Sequence, residues 1–234
     1  MKQRGWIMVI VLAIVVVGFI AIVVLNNQSN GSNANGGSGM YTGQGDPEAF
    51  AELYSEQPVL GDENAPVQIV QFGDYKCPAC KNFEEQLVPI IKQEYVDTGK
   101  AQFYFMNYPF LGDDAAILAS YAEAVYATLG NDAFWTYNSA VYERQGDERL
   151  AWGNDEFNQT LIQELFSEEE ATQVLEAYES GDFADIVADE KAFAESQGVT
   201  GTPSLFINGK KVEMDNLEQV ADLNKLVEEA ATNG

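Results

Sequence analysis

The chain has 234 residues and a formal net charge of −25, from 12 lysines and arginines against 37 aspartates and glutamates. Such an acidic protein is a poor partner for nucleic acid or an anionic lipid surface. Its charge is typical of a solvated exterior or, less often, of a protein that recognises basic substrates. The sequence contains no histidine and only two cysteines, so any nucleophilic sulfur chemistry is confined to one place.

The N-terminal segment predicts a membrane anchor. The apolar run over residues 6–25 is about 20 residues long, enough to cross the hydrocarbon core as a helix. Positive charge lies before the run and none directly after it, which predicts a cytoplasmic N-terminus and an extracytoplasmic remainder. No small-x-small cleavage motif closes the run convincingly. We therefore expect residues 1–25 to be an uncleaved signal anchor rather than a long cleaved signal sequence.

A linker and one folded domain follow the predicted anchor. Residues 26–45 are rich in Asn, Gly and Ser and have too little apolar surface to fold, which predicts a flexible linker. Folded structure is expected from Asp46, and the remaining chain is long enough for one well-buried domain with an insertion. Outside the cytoplasm, a disulfide in this domain would form and persist.

The first predicted strand leads directly into the two cysteines. Residues 67–72 (VQIVQF) form a buried strand rich in β-branched residues, which continues through residues 73–76 into Cys77-Pro78-Ala79-Cys80. The helix that follows has one buried face at helical spacing, formed by Phe83, Leu87, Ile90, Ile91 and Tyr95. Pro89 inside this pattern predicts a kink. Cys77 is therefore expected at the N-terminus of a helix.

The two cysteines predict thiol–disulfide exchange. A disulfide between Cys77 and Cys80 would close a ring too small to stabilise the fold much, since that stabilisation grows with loop size. Helix N-terminal N–H groups favour a thiolate at Cys77 and would lower its pKa to between roughly 3.5 and 7.5. Lys76 and Lys81 flank the motif and could supply further positive charge, although flanking lysines are usually only solvated. Cys80 lies one turn into the helix and is expected to be the shielded, resolving thiol. A stabilised Cys77 thiolate is a good leaving group, which would make the protein an oxidant.

Other interpretations of the cysteine pair stay open. A zinc site would need two more Cys or His ligands, which this chain lacks and only a second chain would supply. The pair could also be an inert disulfide or two reduced core cysteines. No cofactor is required for thiol–disulfide exchange. A structural metal far from the sulfurs would have to use oxygen ligands, and calcium is then the reasonable ion, although no EF-hand spacing is present.

The rest of the chain predicts a second strand, a helical block and a terminal hairpin. Residues 101–107 (AQFYFMN) form the second strand, so strand, helix and strand make a βαβ unit. Helical periodicity dominates residues 113–198. The later elements are Gly201-Thr202-Pro203, a strand over residues 204–207, an Asn208-Gly209 turn, a partner strand over residues 210–212 and a helix over residues 217–231.

This order of elements resembles the thioredoxin superfamily and, within it, the DsbA-like disulfide oxidoreductases. The matching motifs are Phe72-Gly73-Asp74-Tyr75 before the C-x-x-C, Phe134-Trp135 in the helical block, and Gly201-Thr202-Pro203 before the hairpin. With its predicted anchor, the chain looks like the Gram-positive, BdbD-type members. The resemblance implies an α/β architecture with a thioredoxin fold over residues 46–112 and 199–234 and a helical insertion domain over residues 113–198.

The resemblance also implies an activity and partners. A membrane-anchored, extracytoplasmic thiol:disulfide oxidase would transfer the Cys77–Cys80 disulfide to reduced exported proteins through a mixed disulfide at Cys77. A quinone-linked membrane thiol oxidase would re-oxidise it. Pro203 would be cis, and Thr202 would pair its backbone with an extended substrate. We expect a monomer, because the added dimerisation segment usual in isomerases of this superfamily is missing from the sequence.

Two departures from the family leave part of the mechanism open. Pro78-Ala79 lacks the histidine that helps to stabilise the thiolate in the best-known members, and Gln71 stands where a buried carboxylate is common. Proton transfer from Cys80 would then need water or another group. Asp74 is a candidate for this relay, and its alternative role is to cap the loop before the helix.

Two other functions stay open on the same fold. A reductase or isomerase would run the same chemistry in the opposite direction, and the reduction potential of the Cys77–Cys80 pair would distinguish it. A non-enzymatic adaptor or holdase would bind partners through aromatic and apolar residues of the insertion. The alternative interpretation is that these residues are simply core residues, namely Phe134, Trp135, Tyr137, Val141 and Tyr142.

Overall fold

The computed structural model describes residues 41–213 and 220–233. The predicted anchor over residues 1–25 and most of the predicted linker lie outside these ranges. Among the described residues, no helix is both long and apolar enough to cross a membrane. The membrane anchor therefore stays a prediction from the sequence.

A sheet lies at the centre of the fold. Its strands in the described part of the chain are β1 (Val59–Leu60), β2 (Val67–Gly73), β3 (Ala101–Asn107), β4 (Ser204–Ile207) and β5 (Lys210–Lys211). They are arranged in the order β1-β3-β2-β4-β5. β2 and β3 are parallel, and the other neighbouring pairs are antiparallel. The predicted strands β2, β3 and β4 are confirmed, whereas β1 was missed because a strand of 2 residues shows no periodicity.

The helices cover both faces of this sheet. They are α1 (Pro47–Leu53), α2 (Pro78–Gln86), α3 (Val88–Ile91), α4 (Asp113–Leu129), α5 (Asn131–Glu143), α6 (Asp155–Leu165), α7 (Glu168–Ser180), α8 (Phe183–Ser196) and α9 (Val220–Asn233). The helices α4 to α8 follow one another between β3 and β4 and form the helical insertion. The sequence predicted this helical block and the terminal helix, but not α1.

The helix after the cysteines is interrupted near Pro89, as predicted. The helix α2 ends at Gln86, α3 begins at Val88, and a π-helical turn, Lys92–Val96, follows. Proline has no N–H to donate to the preceding turn, and its ring clashes with the carbonyl there, so a continuous helix is not stable through this point.

Two apolar clusters enclose the sheet, one on each face. The larger cluster contains both cysteines together with Ile69, Phe105 and Leu205 of the sheet. The insertion residues Phe134, Trp135, Tyr137, Val141 and Tyr142 are buried in the same cluster. The smaller cluster packs Phe50 of α1 against Phe72 and Phe206. The core interpretation of the insertion aromatics is therefore confirmed, which weakens the case for an adaptor surface built from them.

The folded region begins earlier than the sequence predicted. Thr42 N–H donates to Lys211 O at 3.1 Å, and Lys211 N–H donates to Gln44 O at 3.0 Å, so this segment adds to the edge of the sheet at β5. Gly45 has φ +98°, and a Cβ there would lie only 2.1 Å from Gly209 O. Residues 41–45, which the sequence placed in the linker, are therefore part of the folded region. Composition alone does not reveal a backbone pairing with a strand so distant in sequence.

Candidate active site

Cys77 lies where β2 passes into α2. It is the N-cap residue of α2, with φ −76° and ψ 118°, and Pro78 occupies the start of the helix. Proline suits that position because an N–H there would have no intrahelical acceptor. The Cys77 N–H donates to Asp74 O at 3.0 Å, which closes the turn before the helix. The predicted position of Cys77 at a helix N-terminus is confirmed.

The loop before β4 lies against Cys77. The Sγ of Cys77 donates to the backbone carbonyl of Thr202 at 3.4 Å, across a sequence separation of 125 residues. The Thr202–Pro203 peptide bond is cis, as the resemblance implied. The antiparallel pairing of β4 with β2 brings this loop to the cysteine motif. The structure thus brings together Cys77, Thr202 and Pro203, which the sequence singled out separately.

The two thiols have different environments. Cys77 is 6% exposed and Cys80 is completely buried. The pKa of Cys77 is lowered to about 6, chiefly by a hydrogen bond from the Cys80 thiol, with smaller contributions from the Thr202 side chain and the backbone N–H groups of Cys80 and Ala79. Burial opposes this lowering. Burial raises the pKa of Cys80 well above its usual value, and the neighbouring Cys77 raises it further.

The largest cause of the Cys77 shift differs from the predicted one. The sequence predicted a lowering of the Cys77 pKa by helix N-terminal N–H groups, and the N–H groups of Cys80 and Ala79 do contribute. The Cys80 thiol contributes more because it donates a hydrogen bond directly to the Cys77 sulfur. The motif thus supplies its own thiolate stabilisation, without a histidine between the cysteines.

The flanking lysines are engaged with the insertion. Lys76 is only 3% exposed, and its Nζ lies 2.6 Å from Asp114 Oδ1 at the start of α4. The Nζ of Lys81 donates to the carbonyl of Glu143 at 3.1 Å. Lys76 is thus a buried ion-pair partner rather than a solvated flanking charge. Both amines connect the motif to the helical insertion.

Both carboxylate oxygens of Asp74 accept hydrogen bonds from backbone N–H groups. Its Oδ1 accepts from Lys76 N–H at 2.8 Å, and its Oδ2 accepts from Phe110 and Leu111 N–H at 2.8 and 3.0 Å. Burial raises its pKa, while these N–H donors oppose the rise. The contacts support the capping role that the sequence offered as the alternative to a proton relay.

Gln71 is completely buried on the same side of the sheet as the cysteines. It pairs in register with Phe105 and Leu205, which belong to the apolar cluster that contains Cys77 and Cys80. Neither its amide oxygen nor its amide nitrogen has a hydrogen-bond partner among the described residues. An amide cannot take up a proton at neutral pH, so Gln71 itself does not replace a carboxylate.

Glu84 was not singled out from the sequence. It lies one helical turn after Cys80 in α2, and its Oε1 accepts from Ser139 Oγ at 3.1 Å. Burial raises its pKa to about 7. The buried hydroxyls of Tyr75 and Tyr142, like Glu84 Oε2, have no hydrogen-bond partner among the described residues. The charges of Cys80, Tyr75 and Glu84 add to burial in raising the pKa of Tyr142, so these groups form one cluster.

The position of Glu84 near Cys80 could have been predicted from the sequence, because the two residues are four apart in one helix. Residues at i and i+4 share a helix face, so Glu84 had to follow Cys80 toward the interior. The same argument would have excluded Glu85, which lies 3.6 Å from Lys81 at the surface. We refer below to Tyr75, Glu84 and Tyr142 as the Cys80 polar cluster.

A second group of buried polar side chains lies at the end of β3. Asn107 Nδ2 donates to Glu123 Oε1 and to Glu190 Oε2, both at 2.8 Å. Burial raises the pKa of Glu123 above its usual value. The pKa of Glu190 is raised further by burial and by the Glu123 charge. The side chain of Gln57 also hydrogen-bonds to Glu190 and opposes that rise.

This acidic pair has the donor chemistry of a hard-cation site. Three buried oxygens, Gln57 Oε1, Asn107 Oδ1 and Glu190 Oε1, have no hydrogen-bond partner among the described residues. Carboxylate and amide oxygens are the ligands that calcium prefers. No cluster of three or more His, Cys, Asp or Glu suited to a metal occurs in the described ranges. A metal at this position would therefore need the two amide oxygens in addition to the two carboxylates.

Comparison with known proteins places this site in a family. A family model described as Thioredoxin matches residues 54–229. The chain belongs to the thioredoxin family. It is 31% identical over 211 residues to the probable disulfide bond formation protein D of Bacillus cereus, covering 89% of this chain and 90% of the relative. It is also 31% identical over 157 residues to disulfide bond formation protein D of Bacillus subtilis, covering 67% of this chain and 70% of the relative.

A solved structure gives the same assignment. The crystal structure of oxidised BdbD from Bacillus subtilis superimposes with a TM-score of 0.68 at 27% sequence identity. The superposition covers 83% of this chain and 100% of that structure. The chain is thus a protein thiol:disulfide oxidoreductase of the DsbA-like, BdbD-type group, and its fold is a thioredoxin fold with a helical insertion.

Proposed function

We propose that this thioredoxin-family protein is an extracytoplasmic oxidase that transfers the Cys77–Cys80 disulfide to reduced exported proteins. The observation that carries the proposal is the asymmetry of the two thiols. Cys77 keeps some exposure and has a pKa lowered to about 6, whereas Cys80 is buried and its pKa is raised. A lowered pKa favours release of Cys77 as a thiolate, which is the property of an oxidant.

The reaction takes two exchange steps. A substrate thiolate attacks Cys77 Sγ, the Cys77–Cys80 bond breaks, and Cys80 leaves with the electron pair. The second substrate thiolate then attacks the substrate sulfur of the mixed disulfide, and Cys77 leaves as a thiolate. The substrate dithiol loses two electrons and two protons, and the cysteine pair gains the two electrons. Because only Cys77 has exposed surface, attack at Cys80 is blocked.

Cys80 needs a proton when it leaves. Its raised pKa makes a free Cys80 thiolate unfavourable near neutral pH. Glu84 has a pKa raised to about 7, so it holds a proton in part of its population at that pH. We assign the proton supply to Glu84, acting through the hydroxyls of the Cys80 polar cluster and water. Asp74 is a weaker choice than Glu84, since both of its oxygens already accept backbone hydrogen bonds.

The proposed partners follow from the family and the sequence. The curated relatives are named for disulfide bond formation, which supports the oxidising direction. The apolar run at residues 6–25 supports an anchor that would keep the domain outside the cytoplasm and near a quinone-linked membrane thiol oxidase. The cis Thr202–Pro203 loop beside Cys77 would pair with an extended substrate backbone, which permits many substrates.

Trapping of mixed disulfides tests this function. In cells expressing Cys80→Ser, the Cys77 thiolate can attack a disulfide of an exported protein, with one substrate sulfur leaving as a thiolate. The resulting mixed disulfides should accumulate with several exported, cysteine-containing proteins, because no Cys80 thiol is present to displace the substrate, and dithiothreitol should release them. Cys77→Ser should trap few or none, since its remaining sulfur is buried. Equal trapping by both variants would reverse the role assignment, and no trapping by either would favour an adaptor. A strongly reducing potential of the wild-type pair would favour a reductase.

We also propose that Gln57, Asn107, Glu123 and Glu190 bind a structural calcium ion. The observation that favours it is a buried pair of carboxylic acids that share one amide donor and leave neighbouring oxygens unpaired. A divalent cation would ionise both carboxylates and offset their mutual repulsion. The site would act on stability and would not take part in sulfur chemistry.

Melting curves of chelator-treated protein test the calcium proposal. Calcium at about 100 times its Kd should raise Tm by roughly 5 to 10 °C, and Glu190→Gln should abolish that shift. Asp189→Asn, at an exposed neighbouring position of α8, is the matched control and should respond like wild type. An unchanged wild-type Tm at millimolar calcium would reject the site, and an equal response in Glu190→Gln would place the ion elsewhere.

A further inference from the structure

Gln145 connects the helical insertion to the backbone of the cysteine motif. It follows the C-terminal end of α5, and its side-chain Nε2 donates to Tyr75 O at 2.8 Å and to Cys77 O at 3.0 Å. A side-chain amide nitrogen carries two hydrogens, so it can serve two carbonyls at once. The two acceptors, Tyr75 O and Cys77 O, are two residues apart in the segment where the loop passes into α2.

The position of Gln145 is itself fixed by the insertion. Its backbone N–H donates to Tyr142 O at 3.2 Å, in the turn that ends α5. The ring of Tyr142 packs against the ring of Tyr75 with centroids 5.1 Å apart. The same end of α5 also accepts a hydrogen bond from Lys81 at the Glu143 carbonyl. Gln145 is therefore held by α5, on the side of the motif that faces the insertion.

Contacts of Lys76 and Asp74 also hold the loop before α2. Lys76 pairs with Asp114 at the start of α4, and Asp74 accepts N–H groups from Phe110 and Leu111. These contacts fix the side chains and the N–H of the loop. Gln145 differs from these contacts because its side chain donates a hydrogen bond to the carbonyl of Cys77 itself.

The Cys77 carbonyl matters for the sulfur because its peptide plane sets the start of the helix. Cys77 O also accepts from Lys81 N–H at 3.2 Å, as the first hydrogen bond of α2. The N–H groups of Ala79 and Cys80 that favour the Cys77 thiolate belong to this same first turn. Rotation of the Cys77 peptide would turn those N–H groups and the Cys80 side chain relative to the sulfur.

We propose that Gln145 is a positioning residue for thiol–disulfide exchange, through which the helical insertion holds the N-terminus of α2 facing Cys77 Sγ. The proposal rests on Cys77 as the reacting sulfur and is independent of the direction in which electrons flow. It assigns to the insertion a part in setting the reactivity of the motif, beyond covering the sheet.

Titration of the Cys77 thiolate tests the proposal. The ultraviolet absorbance of the thiolate is followed against pH in the reduced full-length protein. Gln145→Met keeps the length of the side chain and removes the donor, and should raise the midpoint by about half to one pH unit. Gln145→Glu should raise it further, because an anion would then face two carbonyls and the thiolate. Gln163→Met, at an exposed position of α6, is the matched control and should leave the midpoint unchanged.

The outcomes separate positioning from ordinary packing. A lower Tm with an unchanged midpoint in Gln145→Met would show a merely structural contact and overturn the proposal. If Gln145→Met does not fold, Gln145→Asn keeps the amide with a shorter reach and should show a smaller rise, and an unchanged midpoint there would equally overturn it. Because the titration uses no substrate, a failed trapping experiment with Cys80→Ser would leave this result intact.

Discussion

Reduction of the Cys77–Cys80 disulfide should stabilise the protein, and the gain should grow as the pH rises. The reason is that the pKa of Cys77 is lowered from its usual 9.0 to about 6 in the fold. A thiol with a lowered folded-state pKa contributes stability that is present above its unfolded pKa and is lost as the pH falls through its folded pKa. The oxidised form has no thiol and lacks this contribution.

The size of the effect follows from linkage. A pKa of about 6 in the fold against 9.0 in the unfolded chain contributes roughly 1 kcal/mol at about pH 7 and roughly 3 kcal/mol at about pH 8. Solvent screening at a sulfur with some exposure reduces these values by about half. The expected Tm difference is then about 2 °C near pH 7 and about 4 °C near pH 8. Cys80 does not oppose it in this range, since its pKa is raised and it stays a thiol.

Calorimetric melts of the reduced and oxidised forms between about pH 5 and pH 8 measure this difference directly. Buried carboxyls such as Glu84 titrate in both forms and cancel in the subtraction. The effect of the cross-link on the unfolded chain does not depend on pH and enters as a constant. Cys77→Ser forms no disulfide and has no Cys77 thiol, so its own melts should lack the stability that the reduced wild-type protein gains between about pH 5 and pH 8. A difference between the two forms that stays constant, or that shrinks as the pH rises, would refute the reasoning.

Three further outcomes are expected. Glu84→Gln should slow formation of the mixed disulfide about tenfold near neutral pH, because water can replace the proton donor only in part. Glu85→Gln is the control and should not slow it. Equal stopped-flow rates for the two variants would contradict the proton assignment. Thr202→Val should raise the pKa of Cys77 by about half a unit, since the Thr202 side chain lowers it, and an unchanged thiolate titration would exclude that contribution. The formal charge of −25 predicts a Tm that rises between low salt and about 1 M salt, measured with chelator present, and a flat response would contradict it.

Local signals in the sequence were sufficient for the reactive motif. The position of Cys77 at the start of a helix follows from residues close to it in the sequence. The strand before Cys77 is recognisable from its β-branched residues. Pro89 predicted the helix interruption for the same reason, because the backbone defect of proline is local. The Asn208-Gly209 turn is also local, and both residues have positive φ.

Contacts between distant segments could not be predicted in this way. Asn107, Glu123 and Glu190 meet at the end of β3 only because α4 and α8 pack there. The pairing of Tyr41–Gln44 residues with β5 depends on two backbones that are far apart in sequence. Neither contact leaves a pattern of hydrophobicity or a turn signal in either segment.

The sequence by itself determined the chemistry of this protein, because both cysteines occur in one C-x-x-C at a strand-to-helix junction. It also determined the sign of the Cys77 shift, which follows from the dipoles of any helix N-terminus. Only the tertiary structure decided how the two thiols divide their roles. Burial of Cys80 and the hydrogen bond from Gln145 to the Cys77 carbonyl both arise from the insertion and the sheet closing around the motif. Desolvation depends on what surrounds a group in space, and the order of residues along the chain does not specify that locally.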